Sequence, residues 1–398
     1  MQAIPKRTIV TVAFAVTLLA VGVGSYILGT EHVSGSPKDF KDTAAETGRL
    51  VITPQFDSAD DFSEGIAAVR IGDEKTGKYG YIDKTGKIVI NPQFDWTNHF
   101  SEGLASVRVG DDKSGKYGYI NKSGGYAINP QFDYASNFSE GLASVRIGDD
   151  KTGKWGYIDK AGKYPINPQF DGAAEFHEGL AEVRIGDDKT GKWGYIDKAG
   201  KIAINPQFDG TNAFSDGLAE VRLGASELGK WGYIDKAGKY AINPQFGGGD
   251  YLTFEAGDLV PLGSFRDGLA AVRIGDDKTG KWGFIDKSGK LVINPQFDDV
   301  GKFQEGLAAV RVGDHQTGKY GYIDTGGKYV INPQFDWTYG FSQGLALMRI
   351  GDDKTGKYGY IDKTGKIVVN PQFDQTEDFT LDGLAVVKIA GKYGYITR

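Results

Sequence analysis

Beyond residue 46 the chain is written in short apolar-polar alternations separated by turn residues. Residues 268–305 show one full unit. Residues 268–274 (GLAAVRI) are short, β-branched and alternating, which predicts a first strand, A. Asp276-Asp277-Lys278-Thr279-Gly280 is turn chemistry, because Asp hydrogen-bonds its own backbone and Gly supplies positive φ. Residues 281–286 (KWGFID) predict strand B, Asp286-Lys287-Ser288-Gly289 a second hairpin turn, and residues 290–293 strand C. Pro295 is expected to end strand C, since proline cannot donate to a ladder. No stretch beyond the N-terminal segment places apolar residues at i, i+3, i+4 and i+7 over two turns, so the body is expected to be all-β.

The unit recurs. Pro-Gln-Phe begins at 54, 92, 130, 168, 206, 244, 295, 333 and 371, which sets a period of 38 with one longer step. Residues 47–398 therefore hold nine units, with an insertion at 247–261 and a net shortening in the last unit. In strand B an aromatic-Gly-aromatic triplet recurs, and its glycine is expected to leave bare backbone for a neighbour to pack on. Three short strands cannot bury a face alone, so units must pack on one another. The Phe of Pro-Gln-Phe and the connecting Phe (Phe62, Phe100, Phe138 and their equivalents) are the expected plugs between units.

The core KWGYIDKAGKxxINPQFD, at residues 154–171 and 192–209, resembles the bacterial WG repeat, also called the KWG repeat. The resemblance spans all nine units. Five carry Tyr where the motif has Trp, Phe284 replaces Tyr, and Gly247 replaces the Asp after Pro-Gln-Phe. It implies a β-rich array, often exported or surface-associated, with no catalytic residues assigned.

Ahead of the repeats, residues 8–29 are 22 residues without charge, about 33 Å as a helix and enough to span a bilayer. Lys6 and Arg7 precede this stretch and Glu31 follows it, which predicts an N-terminal membrane anchor (residues 1–30) with the body outside the cytoplasm. A cleaved signal peptide is the alternative, with Gly22 and Gly24 before Ser25. Residues 31–46 read as a linker.

Composition narrows the chemistry. The net charge of −6 argues against a nucleic-acid partner, and the absence of Cys excludes disulfides, thiolate metal sites and a Cys nucleophile. The four His fall at unrelated unit positions, so no His-based metal or general-base site is expected. The Asp-rich tips lack the spacing of a calcium loop and read as solvated turns. The Arg ending strand A is expected to pair with an Asp of strand B or with the Asp after Pro-Gln-Phe. No catalytic residue, cofactor or metal is predicted. Two features break the repeat and supply the candidate binding residues. One is the insertion, with Tyr251 and Phe254. The other is the run of strand-B tryptophans in consecutive units: Trp155, Trp193, Trp231 and Trp282.

The chain begins mid-unit, with a lone strand C at 49–56, and ends mid-unit, with strands A and B at 383–397. That split suits a closed, propeller-like ring. Three strands per unit and nine units instead favour an open twisted β-solenoid, because propellers commonly use four-stranded blades, four to eight in number. The expected function is a protein-interaction scaffold at the cell envelope, with a cell-wall or glycan-binding module as the alternative. Buried rings would favour the first and exposed aromatic rows the second.

Overall fold

The computed structural model describes residues 47–224, 229–246, 252–253, 259–260, 263–275 and 279–398. The expected anchor helix at residues 8–29 and the linker lie outside these. Among the described residues there is no helix, and so none long and apolar enough to cross a membrane.

Strands A and B form as the alternation predicts. In the first blade they are Ile66–Ile71 and Lys78–Asp83. The A–B turn is held by Asp73, whose carboxylate accepts the N–H groups of Lys75 (2.8 Å) and Thr76 (2.9 Å). In the B–C turn Asp83 accepts from Thr85 at 2.9 Å while Gly86 takes φ 82°.

Strand C departs from expectation. It runs through the proline, as in Tyr126–Phe132 of the second blade. Tyr119 pairs with Ile128 and Tyr117 with Phe132, so two extra residues of strand C bulge out around Pro130. Strand C is a sheet edge, and a bulge at an edge is where a missing N–H does no harm. The bulge rests on the strand-B glycine. A Cβ on Gly118 would lie 2.6 Å from both Ile128 O and Pro130 N. The glycine thus makes room for backbone of its own blade, not for a neighbour's side chain.

Most units also hold a fourth strand, usually of two residues and too short for a pattern to reveal. Ser58–Ala59 pairs with strand A, and the sheet order is short strand, A, B, C. Eight sheets of the described residues have this four-stranded form, and a ninth (Leu269–Ile274, Lys281–Asp286, Leu291–Phe297) has three strands. In that blade the insertion supplies a separate two-stranded ladder, Leu252–Thr253 with Leu259–Val260.

The array is closed, and the open solenoid of three-stranded units is corrected to a nine-bladed β-propeller. The first strand, Leu50–Phe56, is hydrogen-bonded antiparallel to the last, Lys392–Thr397, and completes the ninth sheet. The split unit decides the outcome: the first strand has no other partner, the last pairs with strand A on one side only, and an open edge is a cost that closure removes. The seam repeats the ordinary blade interface. Tyr81 OH donates to Asn98 O at 2.8 Å between blades one and two, and Tyr395 OH donates to Asp60 O at 2.8 Å across the seam. The rings of Tyr81 and Phe100 meet edge-on at 5.0 Å, and those of Phe62 and Tyr395 at 4.8 Å. Lys392 pairs with Asp57 at 2.5 Å where Lys78 pairs with Asp95.

The core lies between blades. Tyr81, Ile90 and Phe94 of blade one close on Phe100, Ala105 and Val107 of blade two, with both phenylalanines acting as the expected plugs. A belt of turns ties the blades further. Ser63 Oγ donates to Phe100 O at 2.7 Å, and Gly103 N donates to the Glu64 carboxylate at 3.1 Å. Glu64 sits at φ 54°, and equivalent turn residues, from Glu102 to Gln343, share that left-handed backbone. The bond to the next blade helps hold a conformation that costs a non-glycine residue of order 1 kcal/mol. At the seam Asp382 takes the Glu64 role, accepting from Gly65 N at 3.2 Å.

Candidate functional site

The repeated charges are occupied by structure. Asp57 illustrates the Asp after Pro-Gln-Phe: the Lys392 ammonium and the Gly72 N–H hold its carboxyl below the usual range. The Arg ending strand A makes a different bond from the expected one. Arg146 and Arg184 reach the Asp four residues on, in the hairpin tip, and the Lys opening strand B takes the Asp after Pro-Gln-Phe. Each guanidinium also covers the first strand-B ring.

That cover decides where the candidate tryptophans stand. Arg146 lies 5.6 Å from the Trp155 centroid, Arg184 5.6 Å from Trp193, Arg222 5.5 Å from Trp231 and Arg273 5.5 Å from Trp282. Trp231 and Trp282 are only 6% and 7% exposed, and Trp155 and Trp193 are half-buried. Volume is also balanced in two of these rows. Gly172 and Gly210 face Trp193 and Trp231, and a Cβ there would lie 3.1 Å and 3.3 Å from the indole edges. Where strand B has Tyr117 or Tyr358, the same place holds Trp96 or Trp337. The four tryptophans are packing residues of separate blades, and the structure does not bring them into one site. Tyr251 and Phe254 lie outside the described residues.

A continuous aromatic stripe exists elsewhere. Trp96, Tyr117, Tyr134 and Trp155 follow one another across blades two and three at 5.6, 5.4 and 5.3 Å.

A sector that the sequence reading passed over is chemically richer. The third residue of strand A is Ala or Ser in most blades but Glu182 in blade four (residues 172–208) and Glu220 in blade five (residues 210–246). These glutamates are 6% and 5% exposed. Burial pushes both carboxyls up to about 7. Asn212 Nδ2 donates to Glu220 Oε2 at 2.7 Å. Lys302, in blade seven (residues 299–335), also senses Glu220, and burial with the charge of Arg266 brings its ammonium down to about 8. Glu220 has room because blade six presents Gly263, where a Cβ would collide with the carboxylate. Glu175, whose carboxyl burial also raises, adds its charge to Glu182. Asn137 and His99 of the preceding blades meet at 3.3 Å in the positions equivalent to Glu175. In a ring, equivalent residues approach one another only near the axis, so these side chains encircle it. The signal was available: aligned unit on unit, Glu182 and Glu220 are the charged exceptions in a column of small or apolar residues, and Lys302 is the one lysine in a column that elsewhere holds Asp61, Glu175 and Asp378.

At the seam a pocket of about 520 Å³ is lined by Thr47, Lys84, Asp382, Leu384 and Arg398. Lys84 and Asp382 pair across it at 2.7 Å, the seam's version of the belt contact. Among the described residues no group of three or more His, Asp or Glu is arranged to hold a metal ion.

No curated protein matches the chain in sequence. Among solved structures, similarity is to a prolyl endopeptidase at 10% identity and TM-score 0.42, over 80% of this chain and 55% of that one. Prolyl oligopeptidase B from Galerina marginata is similar at 9% identity and TM-score 0.41, again over 80% of this chain and 55% of that one. The β-propeller domain of the Trilobed protease from Pyrococcus furiosus gives 11% identity and TM-score 0.38, over 70% and 99%. The chain thus spans about half the length of the two prolyl peptidases. The family pattern described as "WG containing repeat" matches nine times, at residues 46–74, 79–113, 117–151, 155–189, 193–225, 231–248, 282–314, 320–354 and 358–393. With its aromatic-Gly pairs seated under strand-C bulges in blade after blade, and the pattern matched over most of its length, the chain belongs to the WG-repeat family.

Proposed function

We propose that the propeller is a non-catalytic scaffold that binds a protein partner. The observation that carries this reading is a ring of exposed aliphatic residues. From Ile71 in blade one to Ile389 in blade nine, the last residue of strand A is Ile, Val or Leu and is 37–50% exposed. In most blades it stands beside a charged hairpin tip, as Ile71 does beside Asp73-Glu74-Lys75-Thr76, whereas in the last blade the tip is Ala390-Gly391. An apolar ring edged by charge suits a partner protein, which can bury the first and pair with the second. Two things support the non-catalytic part. The repeated carboxylates are spent on turns and ion pairs, and the strand-B rings are covered by arginine. Export from the cytoplasm belongs to the same proposal and is supported by the N-terminal sequence alone.

A photo-crosslinking residue in place of Ile185 tests the reading. The expected result is a discrete protein adduct, lost when Ile147 and Leu223 are changed to Asp. Absence of any protein adduct would contradict it.

The aromatic stripe supports the second reading, a glycan ligand along Trp96, Tyr117, Tyr134 and Trp155. Arg108 and Arg146 lie against two of those rings, which weighs against it. Retention on cell-wall polysaccharide that is abolished by Tyr134→Ala would establish it in place of the first.

A further inference from the structure

Blades four and five carry the same buried glutamate in different company, and the difference leaves one of the two with an unmatched acceptor. Glu220 receives a hydrogen bond from Asn212 at 2.7 Å and has the ammonium of Lys302 in its field. Thirty-eight residues earlier, Glu182 has Ala174 where Glu220 has Asn212, and the backbone bonds around the two are alike: Ala174 N to Glu182 O and Asn212 N to Glu220 O, both 3.0 Å. The blade-six counterpart of Lys302 is Ser264, too short to reach as a lysine does. Glu182 Oε2 is buried with no hydrogen-bond partner, in a side chain only 6% exposed. A buried acceptor left unmatched is destabilising, so a donor that satisfies it binds more tightly for doing so. Beside Glu182 stand Glu175, which is half-buried and opens toward the axis, and the phenols of Tyr157 and Tyr195. Both phenols are already donating, to Ala174 O and Asn212 O at 2.8 Å.

We propose that Glu182 and Glu175 form a receptor for one primary ammonium group, supplied by a lysine of the bound partner. Within the chain itself the ammonium of Lys302 lies in the field of Glu220, the equivalent carboxylate of the next blade. Two carboxylates and neighbouring hydroxyl oxygens match an ammonium, which needs few acceptors, better than a divalent metal ion, which takes six or more oxygens. The proposal rests on the protein-binding reading above and gives that reading a specificity element on the axis, apart from the aliphatic ring.

The test uses the full chain with ¹³C-carboxyl-labelled glutamate and two probes, N-acetyl-lysinamide and its neutral analogue N-acetyl-norleucinamide. The Glu182 resonance is assigned by its loss in Glu182→Gln. Saturating lysinamide is expected to lower the Glu182 titration midpoint by about one pH unit, a tenfold linkage, and norleucinamide to leave it unmoved. Ala174→Asn, which installs the partner Glu220 already has, and Ser264→Lys, which installs the internal ammonium, are each expected to blunt the response at least threefold. An unchanged midpoint with lysinamide, or equal shifts with both probes, overturns the proposal. If the Ile185 crosslink captures a partner with the same yield in Glu182→Gln, the receptor falls while the scaffold stands. If lysinamide binds but no protein adduct forms, the scaffold reading falls and takes the partner lysine with it, while the ammonium site itself stands.

Discussion

Replacing Glu182 by Gln should stabilise the protein, and only above mildly acidic pH. Burial in the interface beside Tyr195, with the charge of Glu175 adding to it, raises the carboxyl from 4.5 to about 7. Below pH 4.5 the folded and unfolded chains both hold the proton, and the residue costs nothing. Between 4.5 and about 7 the unfolded chain releases it while the folded chain keeps it, so stability falls as pH rises. Above about 7 the full cost applies. At 1.36 kcal/mol per pH unit it comes to about 3 kcal/mol. Glutamine keeps the shape, cannot ionise, and adds at most a pH-independent offset from its amide. Urea unfolding of both proteins at pH 4.5 and pH 8 isolates the effect, because the other titrating groups are shared. With a slope of about 3 kcal/mol per molar urea, the variant's midpoint should gain about 1 M on going from pH 4.5 to 8, relative to wild type. A difference that is flat with pH, or a variant that loses ground at pH 8, would refute the reasoning.

Three further substitutions probe the repeat itself. Gly118→Ala drives a methyl group into Ile128 O and Pro130 N and should cost about 3 kcal/mol, read as a lowered urea midpoint; an unchanged midpoint would show that the bulge can move. Phe284→Tyr adds the hydroxyl that other blades use to reach the carbonyl of the next, and should stabilise by about 1 kcal/mol, whereas Tyr395→Phe should cost about as much at the seam.

Much of the blade was legible because the alternation is strong and the turns are chemically explicit. Strand B at Lys281–Asp286 falls where the pattern placed it. Strand C was cut short at Pro295 because a proline ends a regular ladder, and a two-residue bulge over a glycine leaves no periodic trace. Ring closure was misjudged for a related reason. Ser58–Ala59 is two residues long, too short for any pattern, so the unit looked one strand poor. The tryptophans were singled out as a departure from the repeat, yet Gly172 and Gly210 compensate Trp193 and Trp231 within their own rows. Glu182, Glu220 and Lys302 were passed over because attention went to carboxylates that obey the repeat, and burial of these three depends on which blades meet near the axis.

Closure of the ring by the chain's own ends underlies every interface described, and hydrogen exchange at the last strand tests it most directly. Lys392–Thr397 is flanked by strand A on one side and by Leu50–Phe56 on the other, with Thr397 N donating to Arg49 O at 2.9 Å. In the monomeric full-length protein, the peptide covering these residues should exchange as slowly as Lys357–Asp362, its counterpart in the preceding blade. Exchange of half its amides within seconds, as an unpaired edge strand would show, would contradict the closed propeller.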